Sequence, residues 1–327
     1  MMIAFVPRGN ALERIEVPQG GKVPERAVWI DLLSPTAEED RTLEAALSIA
    51  VPTREEMAEI EPTSRLYIEN GIRYMTATVV YSADTDSPAT TVVTFILGSA
   101  SGPLVTVRYE NPRPFNLLAS RFARYCAPNI TGESVLIDLL DAIIDRTADI
   151  LERVGSEIDL ISQRIFERDP TAEGPERGYQ EILKSIGKKG DLNSKVRESM
   201  VSIGRLVQFL ANEAEGLKLQ DEQRSLVKGM ARDVASLADH ATFLANKVTF
   251  LLDATLGMVT IDQNNVIKIF SVVAVVLLPP TMVASVYGMN FHYMPELEWT
   301  FGYPFALFLM LCSAILPYTF FKWKKWL

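Results

Sequence analysis

The sequence predicts an α+β, mainly helical chain: an N-terminal α/β domain, long helices after it, and two transmembrane helices at the C-terminal end. Three observations predict this. Strand and hairpin signals crowd the chain up to about residue 115. Apolar positions three and four apart then dominate from 134 to 288. Two apolar runs without any charged residue, 269–289 and 303–321, close the sequence.

In the first region, AVWIDLL is a strand candidate and TAEEDRTLEAALSI has helical spacing. RLYIENGIRYMTATVVY reads as two strands turning at Asn70-Gly71, a strong hairpin signal. TTVVTFIL and PLVTVRYE form a second hairpin around the segment that begins at Gly98. No nucleophile motif stands here. The nearest Gly/Lys cluster in the chain, SIGKKGD, lacks the spacing of a phosphate-binding loop, so no nucleotide site is expected. The net charge of −9 argues against a nucleic-acid partner. Two cysteines and two histidines cannot build a Cys/His zinc site within one chain. Cys312 lies in an apolar run and Cys126 in a polar region, so no disulfide is expected between them. The opening MMIAFVPRGN lacks the apolar core of a signal peptide, which places the bulk of the chain in the cytoplasm.

A first long helix starts near Ser134 and ends at the Pro- and Gly-bearing ERDPTAEGPERG. A second is expected from Tyr179 to Leu217. A third starts near Asp221. Val227, Met230, Val234, Leu237, Ala241, Leu244, Val248, Leu251, Thr255 and Met258 form a heptad seam on it, and no proline interrupts it before Pro279. Carried to Gly288, it would be about 100 Å long, too long for one compact domain.

Each apolar run is long enough to span a bilayer. Lys268 precedes the first run and the KWKKW cluster follows the second, while the gap between them holds Glu296 and Glu298 and no Lys or Arg. The positive-inside rule then puts both termini in the cytoplasm and the short loop outside. The expected organisation is an α/β domain over 1–133, a helical stalk over 134–265, a pore-lining transmembrane helix over 266–290, an external loop over 291–302, a second transmembrane helix over 303–321 and a basic tail over 322–327. A row of mostly small or polar positions descends the first membrane helix: Asp253, Gly257, Thr260, Asn264, Ile267, Ser271, Ala274, Leu278, Thr281, Ser285 and Gly288. It ends beside Asn290. Polar groups in lipid cost free energy unless they face protein or water. Lone Ser or Thr residues often bond their own backbone instead, a plain alternative for Ser271 and Ser285. A continuous row is better explained by a water-filled path, which needs several copies of the chain around an axis.

Tyr287-Gly288-Met289-Asn290, followed by MPEL and a second membrane run ending in a Lys/Trp cluster, strongly resembles the CorA family of magnesium transport proteins. The resemblance covers the whole plan of the chain. It implies a funnel-shaped homopentamer in the inner membrane whose first membrane helices line a central pore. It also implies passive inward conduction of Mg²⁺, often of Co²⁺ or Ni²⁺, with no ATP, no enzymatic activity and no resident cofactor. By position, Asn290 matches the outer selectivity residue, with Gly288 and Met289 completing that motif. Thr281 and Asn264 match polar pore-lining positions. Leu278 and Phe270 fall at a hydrophobic constriction, where the family more often has Met and Leu. Asp253 matches an acid that helps bind a regulatory Mg²⁺ between neighbouring subunits. The usual partner acid is replaced here: Met57 stands near its place, and Glu56 is the candidate substitute. Glu296 and Glu298 would concentrate cations at the mouth. A zinc transporter on the same scaffold is the nearest rival, with His292 its one supporting feature; such relatives tend to vary the Gly-Met-Asn tripeptide and the MPEL loop, both kept here. A membrane-anchored sensor or scaffold is the rival of another class, and it would need neither the polar row nor Asn290.

Overall fold

The computed structural model describes residues 1–324 apart from 99–101, 168–174, 218, 291, 293 and 296–298, and gives no side-chain environment for residues 62 and 175–177. The chain divides into two compact units, Met1–Arg168 with Ile182–Leu251, and Asp169–Glu181 with Leu252–Leu327.

The first unit is built on a seven-stranded sheet in the order β2-β1-β3-β7-β6-β5-β4. Its strands are β1 (Met2–Arg8), β2 (Ala11–Val17), β3 (Trp29–Leu33), β4 (Leu66–Glu69), β5 (Ile72–Tyr81), β6 (Ala89–Leu97) and β7 (Leu104–Arg108). Only β3 and β7 pair in parallel; every other neighbour is antiparallel. The β4–β5 hairpin turns at Asn70-Gly71, both with left-handed φ (51° and 79°). That is the backbone an Asn-Gly turn supplies at least cost. β6 and β7 pair as the second expected hairpin; its tip lies outside the described residues.

The sheet is covered on both faces, so its central strands are buried along nearly their whole length rather than at alternate residues. On one face Ile30, Leu32, Ile96, Val105 and Val107 pack with Leu43 of α1 (Ala37–Leu47) and Met57 of α2 (Arg54–Met57). Both helices begin in capping boxes, from Thr36 with Glu39 and from Thr53 with Glu56. A single turn, α3 (Pro62–Arg65), leads into β4. On the other face Phe5, Trp29, Met75, Val93, Phe95 and Leu104 meet α4 (Arg113–Phe122) and α5 (Gly132–Phe166). Gly132 opens α5 because nothing larger fits. A Cβ there would stand 2.4 Å from the Gly102 carbonyl oxygen and 2.6 Å from the Leu104 nitrogen.

Two further helices join this face: α6 (Pro175–Asn212) and α7 (Asp221–Tyr287). α6 begins and ends a few residues earlier than its apolar spacing predicts, with Pro175 in its first turn, where a missing N–H costs nothing. The heptad seam of α7 is real. Val227, Met230, Val234, Ala241, Leu244, Leu251 and Thr255 are buried. Close helix contact is made by small residues: Gly190 and Gly204 of α6 each leave 3.2 Å between a would-be Cβ and Val248 or Val234 of α7. The SIGKKGD cluster is therefore helix, and its Gly190 serves packing. Asn193 Nδ2 donates to the Ala241 carbonyl at 2.8 Å within the same contact.

The second unit holds the start of α6, α7 from Leu252 onward, and α8 (Gly302–Trp323). Tyr179 Oη donates to Asp262 Oδ2 at 3.0 Å. Both α7 and α8 are long and apolar enough to cross a membrane, with only 6% of each apolar window buried inside the chain. α8 has 22 residues and so is about 33 Å long, the thickness of a bilayer core.

Candidate ion pathway

α7 is one uninterrupted helix of 67 residues. Its buried seam reaches Thr255 and half-buried Met258. The polar row occupies positions two residues further on, such as Gly257 and Thr260, about 200° round the axis. The seam is used by the chain itself; the row lies on the opposite side. Every residue of the row from Asp253 to Gly288 is exposed.

Three of the four hydroxyls on this row are committed as donors, while that of Ser285 has no hydrogen-bond partner among the described residues. Thr260 donates to the Leu256 carbonyl at 2.9 Å, Ser271 to Ile267 at 2.8 Å and Thr281 to Leu277 at 2.7 Å. The plain alternative for Ser271 thus describes its donor correctly. It does not remove the site. A hydroxyl that gives its proton to the preceding turn keeps lone pairs turned outward. The row then offers acceptors, the polarity a hydrated cation needs. Asn264 is exposed within it. Phe270 and Leu278 stand 70% and 66% exposed, two bulky apolar side chains among small polar ones.

Pro279 and Pro280 follow Leu278 inside the helix. Neither has an N–H, so the carbonyls of Val275 and Val276 lose their intrahelical donors. The helix resumes and ends at Tyr287, where the Gly288 N–H still bonds the Ala284 carbonyl at 2.9 Å. Gly288 is not in the left-handed region, and an added Cβ would meet the Ala284 carbonyl oxygen at 3.2 Å and that of Ser285 at 3.7 Å. Within this chain the turn that follows Tyr287 therefore does not demand a glycine. Met289 and Asn290 are exposed beyond the helix end. Among the described residues the Asn290 amide has no hydrogen-bond partner, nor does His292. Glu296 and Glu298 lie outside the described residues.

Aromatic residues mark both ends of α8. Trp299 lies 5.7 Å from Phe305 and 6.5 Å from Phe301 at its start; Phe320 lies 6.4 Å from Trp323 at its finish. Lys322 and Lys324 sit at that second end, with the Lys324 ammonium 5.6 Å from the Trp323 ring. Such girdles suit the two faces of a bilayer.

Asp253 is exposed on α7 and free of ion pairs among the described residues. Glu56 belongs to the other unit, and its carboxylate is partly occupied: Oε2 accepts from the Thr53 N–H at 2.8 Å and the Thr53 hydroxyl at 3.0 Å. Met57, at the place expected for an acid, is 1% exposed in the core beside Leu43. Its apolar side chain explains the departure, since a carboxylate there would be buried without a partner. Among the described residues no three acid, His or Cys side chains cluster to hold a metal within one chain.

Comparison with known proteins decides what scaffold carries this row. The family model described as CorA-like Mg²⁺ transporter protein matches residues 24–324. The chain belongs to that family. The magnesium transport protein CorA of Escherichia coli strain K12 is 35% identical over 327 residues, covering all of both chains. That of Salmonella typhimurium is 34% identical over the same length. The solved structure of the CorA magnesium transporter from Methanocaldococcus jannaschii shares the fold at TM-score 0.77 and 17% identity, over 100% of this chain and 99% of that one. The CorA fold accounts for both units: an N-terminal α/β domain with long helices, and two apolar C-terminal helices.

Proposed function

We propose that this chain forms a passive channel for Mg²⁺ in the inner membrane, as a homopentamer with α7 around the axis and both termini in the cytoplasm. The observation that carries the proposal is the exposed acceptor row on a membrane-length helix, ending at Gly288-Met289-Asn290. The full-length relatives at 35% identity, which are magnesium transport proteins, support the choice of ion.

Mg²⁺ sheds its water reluctantly. A ring of Asn290 carbonyl oxygens accepts hydrogen bonds from the waters of the hydrated ion and leaves the shell in place. Neutral amides bind weakly enough for the ion to move on, which a ring of carboxylates would not. Thr281, Ser271 and Asn264 continue the same acceptor chemistry inward. Phe270 and Leu278 form the apolar constriction, closing by dewetting when the helices draw together. Glu296 and Glu298 raise the local cation concentration at the mouth. An inside-negative potential of about 100 mV drives a divalent ion inward by about 4.6 kcal/mol, so no nucleotide is required. Co²⁺ has similar hydrated dimensions and is the expected second ion. Cytoplasmic Mg²⁺ bound at Asp253, between neighbouring copies, holds the closed arrangement; Glu56 would contribute through whichever carboxylate oxygen capping leaves open.

Flux into liposomes holding the purified chain tests this. The parent should pass Mg²⁺ and Co²⁺, and Asn290→Ala should cut Mg²⁺ flux at least tenfold. Unchanged flux in that variant would sink the proposed role of Asn290. Flux of Zn²⁺ in preference to Mg²⁺ would transfer the reading to a zinc carrier and give His292 a role. Asp253→Ala should leave flux no longer inhibited by Mg²⁺ on the cytoplasmic side.

A further inference from the structure

β4 is short, and it leaves part of its neighbour uncovered. Its pairing with β5 ends at Leu66 opposite Met75, so from Thr76 onward β5 is paired on the β6 side alone and its other edge has no strand beside it. α6 takes over that edge. The Ser202 hydroxyl accepts from the Thr78 N–H at 2.9 Å, and the Ser199 hydroxyl donates to the Thr78 carbonyl at 2.8 Å. Where strand gives way to helix there is a cavity of about 430 Å³.

Three arginines line it: Arg65 just before β4, and Arg197 and Arg205 on α6. Among the described lining residues the only acid is Glu198. Ser194, Arg197, Glu198, Val201, Ser202 and Arg205 recur three and four apart and so form one face of α6. Arg65 is held in place, its Nη1 donating to Thr78 Oγ1 at 3.1 Å and its Nε to the Glu59 carbonyl. Arg197 and Arg205 are exposed and, among the described residues, make no hydrogen bond or ion pair. The Arg65 guanidinium senses the charges beside it. Burial lowers the Arg65 pKa; the Glu198 carboxylate raises it and the Arg205 charge lowers it again. Ile60, Leu66 and Val201 supply an apolar rim to the same cavity.

We propose that this cavity binds a compact phosphate-bearing anion. Two guanidinium forks without carboxylate partners, beside a third that is fixed, match the bidentate geometry of phosphate oxygens. The volume falls in the range of small-ligand sites. The ligand's phosphates sit on the arginines. If it carries an organic part, that part rests on the aliphatic rim.

Calorimetric titration of the full-length chain in detergent, in buffer free of Mg²⁺, tests the site with pyrophosphate and separately with a nucleoside diphosphate. Saturable binding of pyrophosphate identifies free phosphate chemistry as sufficient. Binding of the nucleoside diphosphate alone identifies a phosphate ester that also needs the aliphatic rim. In either case Arg197→Gln combined with Arg205→Gln should weaken binding at least tenfold, and Glu198→Gln should tighten it. Both arginines are exposed, so the variant's unfolding midpoint without ligand should match the parent's. No saturable binding by either probe, equal binding to the double variant, or full displacement by chloride at matched ionic strength would overturn the proposal.

Discussion

Asp31 and Arg108 make a salt bridge inside the sheet, 3% and 4% exposed. Arg108 donates to both Asp31 oxygens, at 3.0 and 2.7 Å; Thr106 donates to Asp31 Oδ1 at 2.7 Å and accepts from Trp29 Nε1 at 3.0 Å. Removing one partner strands the other charge in the core. Asp31→Ala should cost about 3–5 kcal/mol in denaturant unfolding, far more than replacing both residues with apolar ones of like size. Asp84 behaves differently because it is 42% exposed. Hydrogen bonds from Arg153 above all, helped by Arg146, lower its pKa from 3.8 to about 2. A lowered carboxylate pKa stabilises the fold above the unfolded value, and that contribution is lost as pH falls through the folded one. The stability gap between parent and Asp84→Asn should thus be flat above pH 4 and close as pH approaches 2. Thermal melts at a series of pH values read this directly.

At the scale of elements, α6 serves as a substitute strand. Its Ser199 and Ser202 satisfy the open edge of β5, so Ser199→Ala with Ser202→Ala leaves a buried N–H and C=O without partners. A loss of about 1–3 kcal/mol for each is expected, with amide exchange quickening first at Thr78. Gly132→Ala tests a tighter constraint. Backbone of Gly102 and Leu104 occupies the space its methyl needs, so the start of α5 must shift, and exchange protection should fall along its first turn and in β7. None of this was legible in the sequence, because each contact joins residues far apart along the chain. The two later hairpins, α1 and the seam of α7 were legible, since local turn chemistry and periodicity specify them. The β1–β2 hairpin was missed: Pro7 and a plain Gly9-Asn10 turn obscure a strand that the sheet then buries. α4 was missed for a similar reason, with Pro112 and Pro114 looking like loop although they sit at the cap and first turn.

At the scale of the whole molecule, the polar row was legible because a single helix carries it and helical phase follows from residue number. The composition of the proposed regulatory site at Asp253 was not. Whether Glu56 serves depends on a carboxylate already engaged in capping, and that is invisible to spacing. A single chain leaves both membrane-length helices open on nearly all sides. One such helix cannot enclose a path; for the proposed pentamer, the mass of the detergent-solubilised complex should be five times 36.4 kDa after subtraction of bound detergent. A monomeric mass would remove the axial pore.

The continuity of α7 has a consequence for how the protein keeps time between its two ends. An unbroken helix is an index: each residue fixes the azimuth of every residue after it. One alanine inserted between Asp253 and Asn264 would turn everything beyond it by about 100° and swing Thr281 and Ser285 toward the lipid. Seven inserted residues would restore the azimuth to within about 20° and lengthen the helix by about 10 Å. The single insertion should abolish conduction while the longer one keeps it, a reversal of the usual rule that the smaller change does less harm.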